Sequence, residues 1–142
     1  MDIEGDILEI VALVEKARQA QAVYEAQGSQ KTFDLACQAV AWALMKPEHN
    51  SSLSKQAVQK TGLGNAADKT RKNHNKTLGL LRDLKAVTAF GHVEDNAETG
   101  LSTYLRPKGV IAAIVPSTNP LATPVNNIIN CLLYTSDAAD DG

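Results

Sequence analysis

The run Gly109-Val110-Ile111-Ala112-Ala113-Ile114-Val115, bracketed by Pro107 and Pro116, constrains this chain more than any other stretch. It is continuously apolar and rich in β-branched residues, the habit of a strand covered on both faces in a parallel sheet. Such a strand needs parallel neighbours reached through crossover connections. No second run of this kind follows before the chain ends at residue 142. The sheet is expected to be unfinished, and each large side chain left uncovered forfeits roughly 1.5–3 kcal/mol. Ser117-Thr118-Asn119 supplies turn residues, and Pro120 suits the first turn of a helix running toward Asn130.

The preceding residues speak for helices. Ile7, Ile10, Val11, Val14, Ala17 and Tyr24 recur at helical spacing over about residues 6–27, with Asp6 as the expected cap. After Gly28, the residues Phe33, Cys37, Val40 and Leu44 mark a second helix that Ser29 can cap and Pro47 can stop. A short third helix over 51–60 closes at Thr61-Gly62, where glycine permits the left-handed turn. Ala67, Leu78, Leu81 and Leu84 outline a fourth over 66–84, whose Lys69, Arg71, Lys72 and Lys76 read as a solvated face in preference to a phosphate contact. Residues 86–90 and 102–106 are expected to pair as a hairpin with a long polar tip.

The charge balance removes several function classes. A formal net charge of −2 with 21% charged residues leaves no basic surface that would imply nucleic acid. The acidic amino terminus is unlike a signal peptide, and no apolar run is long enough to span a bilayer, so a cytoplasmic setting without a membrane partner is expected. Cys37 and Cys131 share no metal-binding or redox spacing and are expected as free thiols, Cys37 on the apolar stripe of its helix. His49, His74 and His92 lie in separate elements, so no metal site is expected. Gly62-Leu63-Gly64-Asn65-Ala66-Ala67 has the spacing of a dinucleotide fingerprint but follows a helical pattern, which favours a helix-to-helix turn.

Two segments together resemble one family. Thr61-Gly62-Leu63-Gly64-Asn65, with Asp68-Lys69 and Lys72-Asn73, is similar to a series found in coenzyme-A-acylating aldehyde dehydrogenases. Val110 to Pro120 resembles their first cofactor-domain strand and its proline-bracketed turn. The order of these segments, the leading helices and the hairpin agree over about residues 6–130. The resemblance implies an α/β fold: helices over 6–84, a hairpin over 86–106, and the first strand and turn of a Rossmann-like cofactor domain over 110–120, truncated thereafter. Hydrolytic members carry a proline-tryptophan-asparagine turn where this chain has Ser117-Thr118-Asn119. That departure favours the acylating branch, and 77–84 resembles members acting on small aldehydes of the sulfoacetaldehyde or acetaldehyde type.

The family's chemistry implies NAD or NADP as hydride acceptor, coenzyme A as co-substrate, a small aldehyde as substrate, and a homo-oligomeric full-length parent. Carried onto this sequence, Val115, Pro116, Ser117 and Thr118 become cofactor-wall residues and Asn119 the amide that stabilises an oxyanion. Counted between the prolines without a gap, Thr118 takes the hydrolytic enzymes' asparagine position, but only Asn119 has an amide. Residues 131–142 resemble a translated transposase sequencing adapter, so native sequence is expected to end near Asn130 and the fragment to lack the catalytic cysteine. A hydrolytic dehydrogenase with a variant turn, or a non-enzymatic helical interaction module, are the competing readings.

Overall fold

A computed structural model describes residues 3–105 and 108–133. Its elements are α1 (Ile3–Ala26), α2 (Gln30–Met45), α3 (Pro47–Thr61), α4 (Ala66–Leu84), β1 (Gly91–Asn96), β2 (Leu101–Leu105) and α5 (Ala122–Leu133). Local chemistry accounts for most helix ends. Ser29 is extended and its hydroxyl accepts from the Thr32 amide at 3.1 Å, satisfying a donor that the start of α2 leaves unpaired. The Asn65 side chain does the same for Asp68 at the start of α4, at 2.8 Å. Gly62 ends α3 with φ +68°, its amide donating to the Val58 carbonyl. Asp6 is no cap, because α1 already begins at Ile3 and holds it within the first turn. Pro47 starts α3 as much as it stops α2: at the first helical position its missing N–H costs nothing.

α2, α4 and α5 pack together around Phe33, Cys37, Ala41, Leu84, Ile129 and Leu133. Phe33 is fully buried and is the largest side chain there. Its ring meets Tyr24 at a centroid distance of 4.9 Å and Phe90 edge-on at 5.8 Å. Gly28 makes this closeness possible, since a Cβ there would lie 2.8 Å from the Glu25 carbonyl oxygen and 3.2 Å from the Phe33 ring.

The buried face of α4 is more polar than its apolar residues suggest. Leu78 is exposed, while Asn73 and Thr77 are buried, Asn73 against α3. Asn73 Nδ2 donates to Asn50 Oδ1 at 3.0 Å and to Ser54 Oγ at 3.2 Å, and Asn50 Nδ2 donates to the Thr70 carbonyl at 2.9 Å. These bonds supply the partners that buried amides require.

The hairpin differs from expectation. Residues 86–90 form no strand. They cross the core, where buried Ala89 donates its amide to Gln30 Oε1 at 2.8 Å and the Val87 carbonyl accepts from Gln30 Nε2 at 3.2 Å. The polar stretch expected as a tip itself forms β1, paired antiparallel with β2 through a tight turn. Asn96 makes that turn, its Oδ1 accepting from the amides of Glu98 and Thr99 at 3.0 Å. The Asp95 carboxylate accepts from Ser102 Oγ at 2.6 Å and pairs with His92, and both bonds hold its pKa down. The expected end of the hairpin at Arg106 lies outside the described residues.

The largest departure concerns the doubly apolar run. Residues 110–115 are without ladder hydrogen bonds, and the sheet that the described residues form is the β1–β2 hairpin. Ile114 is 97% exposed. A strand exists only through its partners, and among the described residues none pairs with this run. Helix α5 begins at Ala122, two residues after Pro120, and continues past Asn130 to bury Leu133. The remaining residues of the adapter-like tail, 134–142, lie outside the described residues.

Candidate functional site

The turn that ends the apolar run is made by local bonds. The Asn119 amide donates to the Pro116 carbonyl at 3.2 Å, closing a turn over Pro116, Ser117, Thr118 and Asn119. The side chain of Asn119 is half-buried, and its Nδ2 donates to Thr123 Oγ1 in the first turn of α5 at 2.8 Å. An amide nitrogen has two N–H groups, so this bond holds the rotamer and leaves the second N–H available for an acceptor. The position is electropositive, because the start of α5 carries the positive end of the helix dipole. Thr123 was not anticipated as part of the site. Its spacing of four from Asn119 across a helix start is the signal that marks it.

Pro116, Ser117 and Thr118 are exposed in one continuous stretch. Val115, the fourth residue expected in the cofactor wall, lines an apolar cleft of about 600 Å³ between the second half of α1, the extended residues 109–115 and α5. Tyr24, Val110, Ile111, Ile128 and Leu132 form much of the rest. The five residues singled out from sequence therefore lie together at one end of α5, with Val115 facing apolar surface and Asn119 facing the helix start.

Cys37 is not built as a nucleophile. Cys37 is 2% exposed, and burial, then the Asp34 charge, push its pKa up to about 11 from a thiol's ordinary 9.0. Its Sγ donates to the Ile129 carbonyl at 3.7 Å. Because the pKa is raised, the neutral thiol's contribution to stability is fully present below pH 9 and is lost as pH rises through 11. Alkylation of Cys37 by iodoacetamide at pH 8 is expected to require opening of the core. Mass spectrometry across a urea series checks this, and full labelling of Cys37 without denaturant would contradict it.

Other sequence features settle into structural roles. The glycines at 62 and 64 belong to the α3–α4 turn, and Arg71 pairs with Asp68 at 2.6 Å on an exposed face. Asn50, which stands in a glycosylation-like triplet, is buried in the polar network. Among the described residues no group of three His, Cys, Asp or Glu side chains could hold a metal ion, and no helix is long and apolar enough to cross a membrane.

No family model matches the chain. Individual relatives do. It is 53% identical over 123 residues to the acylating sulfoacetaldehyde dehydrogenase of Cupriavidus necator, a match covering 87% of this chain and 25% of that protein. The sulfoacetaldehyde dehydrogenase of an Acholeplasma species is 38% identical over the same shares. The acetylating succinate-semialdehyde dehydrogenase of Clostridium kluyveri is 34% identical over 83% of this chain and 25% of its own length. The chain thus spans about a quarter of the length of the curated relatives it matches. On these identities, together with the Thr61–Asn73 and Val110–Pro120 motifs, the chain belongs to the acylating aldehyde dehydrogenases.

Proposed function

We propose that the parent of this chain oxidises a small aldehyde, of which sulfoacetaldehyde is the first candidate, to its acyl-coenzyme A with NAD or NADP. The observation that carries this reading is the 53% identity to an acylating sulfoacetaldehyde dehydrogenase across 87% of the chain. The parent is a cytoplasmic homo-oligomer, and this chain corresponds to its amino-terminal part. In this reading the reacting thiolate lies in the remainder of the parent, since Cys37 is buried with a raised pKa and Cys131 falls within the adapter-like residues.

The nicotinamide cofactor, when bound, accepts the hydride, and coenzyme A takes the acyl group from a cysteine thioester. The chain's own residues hold and orient. The exposed stretch Pro116–Thr118 offers backbone for a ribose or carboxamide to rest against, and Val115 backs it with apolar surface. In this reading the second N–H of Asn119 donates to the oxygen that becomes negative when the thiolate adds to the aldehyde. An amide suits this task because it is a fixed dipole with no proton to lose. Thr123 acts as a positioning residue by holding that amide at 2.8 Å.

The test is expression of the gene extended beyond residue 133, with NAD(P) reduction measured on sulfoacetaldehyde with and without coenzyme A. Acyl-coenzyme A formed only when coenzyme A is present is the expected result. Oxidation to the free acid without coenzyme A would move the parent to the hydrolytic branch. An extended reading frame lacking a downstream cysteine would remove the enzymatic reading. The purified 142-residue chain is itself expected to reduce no NAD, because it supplies one wall of the site.

A further inference from the structure

The basic residues of α4 do not form one solvated face. Arg71 pairs with Asp68, whereas Lys72 and Lys76, one turn apart, have no ion pair among the described residues. Both line a groove of about 600 Å³ between α4 and α5, with Asn75, Gly79 and Asp83 from α4 and Asn126 from α5. Arg82 donates twice to one carboxylate oxygen of Asp83, at 2.8 and 2.9 Å, so the uncompensated charge of the groove is that of the two lysines.

Two further observations mark the groove as a place for a ligand. Asn126 is half-buried, its Oδ1 is buried without a hydrogen-bond partner, and nothing among the described residues bonds its amide. A buried polar atom left so is uncommon, and the amide is free to turn its N–H groups toward an acceptor in the groove. Gly79 stands inside α4, where glycine is a poor helix former, yet a Cβ there would meet nothing within 4 Å. No packing contact asks for glycine at this position, and the space its missing side chain leaves open belongs to the groove.

Position relates the groove to Asn119. Asn126 lies three residues beyond Thr123, a neighbour on the surface of α5, and Thr123 holds the Asn119 amide at 2.8 Å. Leu84 and Leu133, late in their helices, share a crevice beside Cys37, so α4 and α5 run in the same sense and the Lys72 end of the groove lies toward the start of α5. We propose that Lys72, Lys76 and Asn126 receive the sulfonate of the aldehyde, leaving its carbonyl for Asn119; this rests on the sulfoacetaldehyde reading above. A sulfonate keeps its negative charge at neutral pH, and two ammonium groups with an amide supply charge-assisted donors for it. A neutral aldehyde gains nothing from them.

The full-length parent tests this by calorimetric titration with isethionate, a sulfonate without the aldehyde, and by kinetics on sulfoacetaldehyde and propanal. Lys72→Gln with Lys76→Gln is expected to weaken isethionate binding about tenfold and to raise KM for sulfoacetaldehyde by a similar factor, with kcat and the propanal constants unchanged. Asn126→Leu should act in the same direction. Gly79→Leu, which suits the helix but fills the groove, should also weaken isethionate, and Lys55→Gln on the exposed face of α3 should change nothing. Unchanged isethionate binding in the lysine pair, or equal losses for sulfoacetaldehyde and propanal, would overturn the proposal. So would a loss seen instead for coenzyme A over dephospho-coenzyme A or for NADP over NAD, which would assign the groove to a phosphate. Acyl-coenzyme A formed from propanal by a parent that binds no isethionate would remove this proposal and leave the enzymatic reading standing. Isethionate binding that depends on the lysines, in a parent that oxidises no aldehyde, would support the sulfonate site and remove the enzymatic reading instead.

Discussion

Replacing Asn119 by Ala in the full-length parent is expected to lower turnover about a hundredfold or more, the usual loss when an oxyanion donor is removed. The loss should fall on kcat with little change in KM, because the negative charge on oxygen develops only after the thiolate adds to the aldehyde. The structure adds a second, smaller expectation. Thr123 Oγ1 accepts one N–H of the Asn119 amide at 2.8 Å, so Thr123→Val frees the amide to rotate without removing it. That variant should lose less than Asn119→Ala, and Thr123→Ser, which keeps the hydroxyl, should recover most of the activity. Unchanged steady-state kinetics for Asn119→Ala would reduce Asn119 to a turn residue ahead of Pro120. Full activity in Thr123→Val would show that the hydroxyl does not hold the amide.

The second large effect concerns the core. Phe33→Ala is expected to destabilise the chain by about 3–5 kcal/mol, the range for removing a buried aromatic side chain. Little surrounds it that could collapse into the space. Phe33 and Phe90 are the two phenylalanines of a chain that is 4% aromatic, and the rest of this core is built largely from Ala, Cys, Leu and Ile. The substitution removes the ring that meets Tyr24 at 4.9 Å and Phe90 at 5.8 Å, so the end of α1 and the crossing at residues 86–90 lose their anchor together. Domains are stable by only about 5–15 kcal/mol in total, and this one already leaves residues 110–115 uncovered. The expected outcome is a non-cooperative thermal transition by circular dichroism, with Phe33→Leu retaining a cooperative one. A Phe33→Ala midpoint within a few degrees of wild type would show that Phe33 does not anchor the core.

What the sequence alone determined is what depends on neighbours a few residues away. Ser29 capping α2, Gly62 closing α3 in a left-handed conformation and the α3–α4 turn that imitates a dinucleotide fingerprint were legible because each is settled by one residue's hydrogen bonds or φ. So was the burial of Cys37, from its place on the stripe of α2. Family membership was legible too, because the Thr61–Asn73 and Val110–Pro120 motifs are contiguous in sequence. Tertiary structure decided whatever depends on distant partners. The strand at Gly91–Asn96 is polar and invisible to hydrophobic alternation, since pairing with Leu101–Leu105 and the Asn96 turn create it. Ala86–Phe90 was drawn into the core by Gln30 across a separation of nearly sixty residues. The face of α4 turned on Asn73 meeting Asn50 and Ser54, and the amide of Asn119 was aimed by Thr123. The run Val110–Val115 has the sequence of a buried strand and the conformation of exposed chain, because a ladder needs a partner and among the described residues no strand pairs with this run.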